Sequence, residues 1–260
     1  MPAVTTDDGV AISYAVAGEG PPDLLFMHGW AGSGRYFDAT IAHLDLTQLR
    51  AVTYDLRGHR ESAPSTDGYT LERIAADALA VADAAGLGTF VVVGFSMSAK
   101  FCQYVSVLAP DRVVGQILVA GCPAGEIPLP REMTDDWLSR EGDPVRMAQV
   151  PEPFMTRPVA PELMERFGRD AATAGRAALE GTLNAVMTSS FIDRLAAITA
   201  PSLVIGGSGD PMFPPDALRA AVVPPLAGAR LALVDCGHEV PIEAPHELAA
   251  LIEAFLAGLG

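Results

Sequence analysis

Apolar residues in this chain fall into short unbroken runs separated by helical stripes. The runs at 23–27, 51–54, 90–93, 117–120, 203–205 and 231–234 are rich in Val, Leu and Ile, as expected of strands covered on both faces of a parallel sheet. Between them, 71–85 sets Ile74, Ala75, Ala78, Leu79 and Ala82 on one helical face, with Gly86 placed to cap the helix. Segments 97–109, 215–222 and 245–258 read the same way. At the start, 3–6 and 10–16 flank Asp8-Gly9, a dipeptide that favours a two-residue hairpin turn. Gly18-Glu19-Gly20-Pro21-Pro22 is a loop by composition. The pattern predicts an α/β fold, with a mostly parallel sheet of about eight strands and helices on both faces. Residues 122–189 break the alternation. They begin proline-rich and then turn helical, with Trp137, Met147, Phe154, Met155, Met164, Phe167 and Met187 among them. The expectation is one domain with a core of 1–121 and 190–260, and a lid insertion at 122–189 over the sheet's C-terminal edge.

Candidate chemistry begins where Val91-Val92-Val93 stops at Gly94-Phe95-Ser96-Met97-Ser98. A strand, a sharp turn and a helix in this order hold the Ser96 hydroxyl out of both elements, at a helix N-terminus that favours negative charge. A serine is a poor nucleophile until a neutral imidazole takes its proton, and the imidazole needs a carboxylate to fix its tautomer. Asp210 follows the 203–205 strand and His238 follows the 231–234 strand, in the order Ser, Asp, His. Singly, each is more often a loop residue. Together, each just past a strand end, they make a candidate triad. The backbone N–H groups of Trp30 and Met97 are candidates for an oxyanion hole.

Composition narrows the rest. At 260 residues, half of them apolar and 19% charged, the chain is long enough to bury one substantial core. The net charge of −15, with no basic cluster, argues against nucleic acid as a partner. No apolar stretch approaches the ~20 residues that span a bilayer, and the N-terminus lacks the features of a signal peptide. Cys102, Cys122 and Cys236 are odd in number and widely spaced, and read as free thiols in the core or a pocket wall. A cytoplasmic protein acting on a small molecule, with no cofactor, no metal and no membrane partner, is the expectation.

With His28-Gly29, Asp55-Leu56-Arg57-Gly58-His59-Arg60-Glu61-Ser62, the Ser96 elbow, Gly209-Asp210-Pro211, and Gly237-His238 followed by Glu243-Ala244-Pro245, the chain resembles the α/β-hydrolase superfamily over nearly its whole length outside the insertion. The resemblance implies a serine hydrolase acting on an ester, thioester or lactone with an apolar group. Other triad chemistries use the same scaffold, including C–C bond hydrolysis, acyl transfer, hydroxynitrile cleavage and the perhydrolysis of cofactor-free haloperoxidases. Two positions depart from the family pattern. Ser98 stands where the elbow usually has glycine, and the resulting G-x-S-x-S resembles plant karrikin and strigolactone receptors, which keeps a slow-turnover binding protein as the competing class. Arg60 stands where glycine is common, and a positive φ there would strain it. Some family members carry the acid one strand earlier, which makes Glu126 the reserve to Asp210. Trp30, Phe95, Trp137, Met187, Phe213 and Val240 are the candidate pocket residues. His28 and His59 read as loop braces, and His43 and His246 as surface residues.

Overall fold

Apolar runs of three to five residues are too short for a buried helix and long enough for the centre of a strand. In the computed structural model, which describes residues 1–259, they form its centre. Strands β1 (Ala3–Thr5), β2 (Ala11–Gly18), β3 (Asp23–Met27), β4 (Arg50–Tyr54), β5 (Phe90–Phe95), β6 (Val113–Val119), β7 (Ser202–Gly207) and β8 (Arg230–Val234) make one sheet in the order β1-β2-β4-β3-β5-β6-β7-β8. The first two strands pair antiparallel at one edge, and the other six run parallel. Every residue of β3, β5 and β7 is buried. Helices α1 (Asp38–Ile41), α2 (Leu71–Ala84), α3 (Met97–Leu108), α4 (Arg131–Leu138), α5 (Pro144–Ala148), α6 (Pro161–Ala171), α7 (Arg176–Thr188), α8 (Pro215–Ala221), α9 (Val240–Glu243) and α10 (Pro245–Ala257) complete the fold. The sheet divides the core into two apolar clusters, one on each face. No helix among the described residues is long and apolar enough to cross a membrane.

Three details differ from the sequence pattern. The first hairpin closes through five residues rather than two, because the Thr6 hydroxyl bonds both backbone groups of Val10 (3.0 and 3.1 Å) while Gly9 turns at φ +85°. Strand β6 starts four residues before its apolar run. Its first half carries the exposed Val114, a Gly115 packed against the Phe255 ring, and a buried Gln116 whose amide bonds Ser106 and Ser202 at 3.0 and 2.8 Å. On α2, Val81 is buried and Leu79 only partly so. Asp77 is buried there as well, because Arg57, itself fully buried, grips it through Nε and Nη2 at 2.7 and 2.8 Å.

Parallel register aligns the strand ends. Leu25 is level with both Val52 and Val92, and Val119 with both Phe95 and Ile205. The loops that follow β3, β4, β5, β7 and β8 therefore leave one edge, where open α/β sheets collect their functional groups. Helices α4 to α7 lie between β6 and β7 in the chain, and residues from them form much of the wall around that edge.

Candidate active site

A single residue separates β5 from α3. Ser96 takes φ +52° and ψ −115°, a backbone conformation that costs roughly 1–3 kcal/mol and persists only where neighbours hold it. Three backbone bonds do so here: Ser96 N–H to Val119 O at 2.8 Å, with its own carbonyl accepting from Ala99 (3.1 Å) and Cys122 (3.2 Å). Close packing makes Gly94 obligatory, since a Cβ there would lie 2.4 Å from both Cys102 Sγ and Ser98 O. Ser98 is fully buried, and its hydroxyl donates to the carbonyl of His28. Serine at this elbow position thus fits and also ties the elbow to the loop after β3.

His238 reaches the elbow from the loop after β8. Its Nε2 lies 2.9 Å from Ser96 Oγ, and its Nδ1 lies 2.9 Å from Asp210 Oδ2. The other Asp210 oxygen accepts the N–H groups of Met212 (2.8 Å) and Phe213 (3.0 Å). Burial alone would raise the Asp210 carboxyl; the hydrogen bond and charge of His238 and the two backbone donors hold it below the usual carboxylate range. For His238, burial pushes the imidazole down, but the Asp210 hydrogen bond and the charges of Glu239, Asp210 and Glu243 outweigh it and leave the group above its ordinary value. Glu243 holds the loop in place. It accepts the N–H groups of Gly237 and Glu239 (both 3.0 Å) and, from the insertion, those of Thr156 and Arg157 (both 2.7 Å).

The loop after β3 passes beside the serine: a Cβ on Gly29 would stand 3.4 Å from Ser96 Cβ. His28, at its start, is fully buried, accepts the Leu56 N–H at Nε2 (3.0 Å) and bonds the Gly29 carbonyl through Nδ1 (2.8 Å). Burial and the neighbouring His59 push its pKa down to about 3. It braces a loop as a neutral ring. Among the described residues, no group accepts the backbone N–H of Trp30 or Met97.

Ser96 and His238 open into a cavity of about 720 Å³, counting its mouth. Trp30, Phe95, Trp137, Phe154, Leu183 and Phe213 give it an apolar wall. The Trp30 and Trp137 rings stack at 5.2 Å, and the Trp30 indole N–H bonds the Leu179 carbonyl at 2.9 Å. Cys122 also lines the cavity, with its thiol pushed up to about 12 by burial, and is therefore no competing nucleophile at neutral pH.

The model of the family described as "Alpha/beta hydrolase family" matches residues 24–251. The chain belongs to this alpha/beta hydrolase family. It is similar to a non-heme haloperoxidase of Rhodococcus erythropolis, with 29% identity over 230 residues that cover 82% of this chain and 84% of the relative. A non-heme chloroperoxidase of Burkholderia pyrrocinia is 31% identical over 242 residues, with the same coverage of each chain. Among solved structures, an esterase from Exiguobacterium antarcticum superposes with a TM-score of 0.87 at 19% identity, covering 98% of both chains, a likeness that shows the fold.

Within this hydrolase fold, the structure sorts the sequence expectations. Glu126 is exposed and makes no bond to His238, while Asp210 does. Trp30, Phe95, Trp137 and Phe213 line the cavity, but Met187 and Val240 do not. On α7, Leu183 and Val186 face the cavity and Met187 is turned a further 100° or so, its carbonyl engaged by Ile127 N–H at 3.1 Å. Val240 is fully buried in the core as α9 begins. Arg60 does sit at a positive φ, +41°; Thr173 accepts its N–H at 3.0 Å and Asp55 pairs with its guanidinium at 3.2 Å. His43 and His246 are exposed, as expected. Sequence reasoning missed three residues. Tyr36 and Glu239 line the cavity, and only the position of Glu239 next to His238 pointed to it. Lys100 is fully buried and donates to the carbonyls of Gly125 (2.8 Å), Val186 (2.7 Å) and Ser189 (2.6 Å). Burial lowers its pKa to about 8.

Proposed function

We propose that the protein is a serine hydrolase that cleaves a carboxylic ester, thioester or lactone with an apolar acyl or alcohol part. The observation that carries this reading is the unbroken relay from Asp210 through His238 to Ser96, with 2.9 Å at each link. Ser96 Oγ attacks the carbonyl carbon while His238 Nε2 takes its proton. Asp210 holds the Nδ1 proton and stabilises the imidazolium. The carbonyl oxygen becomes an oxyanion facing the N–H groups of Trp30 and Met97, each donor being worth roughly 3–4 kcal/mol of barrier. Collapse breaks the bond to the leaving group, which departs with the proton from Nε2. Water, deprotonated by the same nitrogen, then releases the acid from the acyl-serine. The apolar wall suits an apolar substrate group, and the insertion at 122–189 acts as the lid that selects it.

Fluorophosphonate labelling tests the nucleophile: the wild type should label, and Ser96→Ala should not. Labelling that persists in Ser96→Ala would refute it. A second reading is supported by the haloperoxidase names of the relatives. In perhydrolysis, hydrogen peroxide replaces water in the deacylation step and the product is a peracid. A peracid trap in acetate and peroxide, run beside p-nitrophenyl ester hydrolysis, separates the two.

A further inference from the structure

Two buried carboxyl groups lie close together in the segment that follows β8, and the chain treats them differently. Glu243 is saturated by four backbone N–H groups. Glu239 accepts one bond, from the Tyr36 hydroxyl to Oε2, and no group among the described residues donates to Oε1. A carboxylate offers about four acceptor positions, and one only 6% exposed is costly to leave unfilled. The sealed side-chain atoms without a partner are Tyr54 Oη, His59 Nε2 and Gln103 Oε1. Glu239 Oε1 is not among them, and Glu239 lines the same cavity as Ser96 and His238. Its open oxygen is therefore not fully sealed, and the cavity is the space that Glu239 lines.

No permanently charged cation in the wall balances this group. No lysine or arginine lines the cavity, and burial raises the Glu239 carboxyl above the usual range despite the pull of His238 and Tyr36. The pair is also held in place before any ligand arrives. The Tyr36 ring stacks on Phe95 at 5.3 Å and meets Phe167 edge-on at 5.6 Å, so binding there costs little ordering of side chains.

We propose that Glu239, oriented by Tyr36, is a polar subsite in this apolar pocket and takes a hydrogen-bond-donating group, a hydroxyl or a protonated amine, on the acyl or alcohol part of the substrate. The proposal rests on the serine-hydrolase reading for where the substrate sits, but its contact is one of binding. A hydroxyl would fill Oε1 as a donor. An ammonium would also supply the missing countercharge, through a shorter and stronger bond. A site built to pair with a donor rejects the analogue that lacks it, because its own group is then left buried and unpaired.

The test uses p-nitrophenyl esters in matched sets: an alkyl parent, its hydroxyl derivative and its amine derivative, with the donor moved along the acyl chain. For at least one donor position the wild type should favour the derivative over its parent by roughly tenfold or more in kcat/KM. In Glu239→Leu that ratio should fall to near one. Glu239→Gln separates the two donors, since it should keep a hydroxyl preference and lose an ammonium preference. A wild-type ratio at or below one for every position, or a ratio that survives in Glu239→Leu, overturns the proposal. Calorimetric titration of Ser96→Ala with the same esters reads the ratio in Kd without turnover. If no ester is hydrolysed but the binding ratio stands, the serine-hydrolase reading fails and the subsite holds. Should Glu239→Leu not fold, Tyr36→Phe, which frees the carboxyl to turn, must lower the ratio instead.

Discussion

Replacing Asp210 with asparagine tests the relay through a single proton. Asp210 divides its oxygens: Oδ1 accepts two backbone N–H groups, from Met212 at 2.8 Å and Phe213 at 3.0 Å, and Oδ2 faces His238 Nδ1 at 2.9 Å. Asparagine has only one oxygen. The two backbone donors claim it, because an NH2 group in that place would face two N–H groups. The amide NH2 is then left against His238 Nδ1, which can accept its bond only when bare. The imidazole proton moves to Nε2, facing Ser96 Oγ at 2.9 Å, where a protonated nitrogen can take no proton from serine. The wrong tautomer in such a triad lowers kcat by roughly 10⁴-fold, or about 5 kcal/mol of barrier. Asp210→Ala leaves the tautomer free and should lose less. Glu126→Gln should turn over close to the wild-type rate. Initial rates on p-nitrophenyl butyrate, with folding checked by circular dichroism, give the answer. An Asn variant with more than a tenth of wild-type activity, one more active than the Ala variant, or a Glu126→Gln variant that is dead would each refute this reasoning.

Further outcomes concern pH and the buried groups. His238 is held above its ordinary value, so the rise of kcat/KM with deprotonation should be half complete above about pH 6.5; a limb centred below that value would contradict the assigned base. His28 binds its proton only below about pH 3 in the folded chain and near pH 6.5 when unfolded. Stability is therefore fully present above pH 6.5 and falls with acid, at about 1.4 kcal/mol per pH unit from this residue. The depressed pKa of His59 adds in the same direction. Urea midpoints that do not fall between about pH 6.5 and 5 would show that these rings take up protons without unfolding. Lys100→Met leaves three carbonyls without their buried ammonium, a loss of about 3 kcal/mol and roughly 6–12 °C in Tm; calorimetry showing no drop would mean that water replaces it fully.

The sheet was legible because its strands are buried on both faces. Burial on both faces writes itself into the sequence as unbroken apolar runs such as Val91-Val92-Val93, and the turn after each run marks where a functional group can stand. Ser96, Asp210 and His238 could be listed on that basis, and the register brings them together. What failed to show is side-chain direction within helices and loops. Met187 and Val186 differ by one residue, and only the phase of α7 decides which one faces the cavity. Lys100 reads as a surface lysine in any helical pattern, because the three carbonyls that receive it come from residues 125, 186 and 189. Glu239 and Glu243 look alike in sequence. What separates them is the turn of their own loop, which aims the Gly237 and Glu239 N–H groups at Glu243, and the 154–157 segment folded back against it, which adds two more N–H groups to Glu243 and none to Glu239. Long-range polar partners are set by the packed chain and leave no local periodicity.

These partners also locate the part of the insertion with the fewest polar ties to the core. Lys100 ties down both ends of the insertion, at Gly125 and at Val186 and Ser189. Glu243 holds its middle at Thr156 and Arg157. Ser33 and Arg35 hold Asp170 at the end of α6, and Trp30 holds Leu179 on α7. Among the described residues, no hydrogen bond or ion pair joins 130–150 to the core; α4 and α5 bond only within the insertion, as in Arg176 to the Leu138 carbonyl at 3.1 Å. Yet α4 carries Trp137, which closes the cavity by stacking on Trp30. Segments with few ties to the sheet open at lower free energy than the whole fold. Because α5 packs closely against α6 at Gly168 and buries Met147, substrate entry is expected to lift α4 while α5 and the rest of the insertion stay docked. Hydrogen exchange should be faster at 131–138 than in α3 or α7, and fluorophosphonate bound at Ser96, by filling the cavity under Trp137, should slow it there. Uniform exchange across the insertion, or slowing that appears only in α6 and α7, would place the entrance elsewhere.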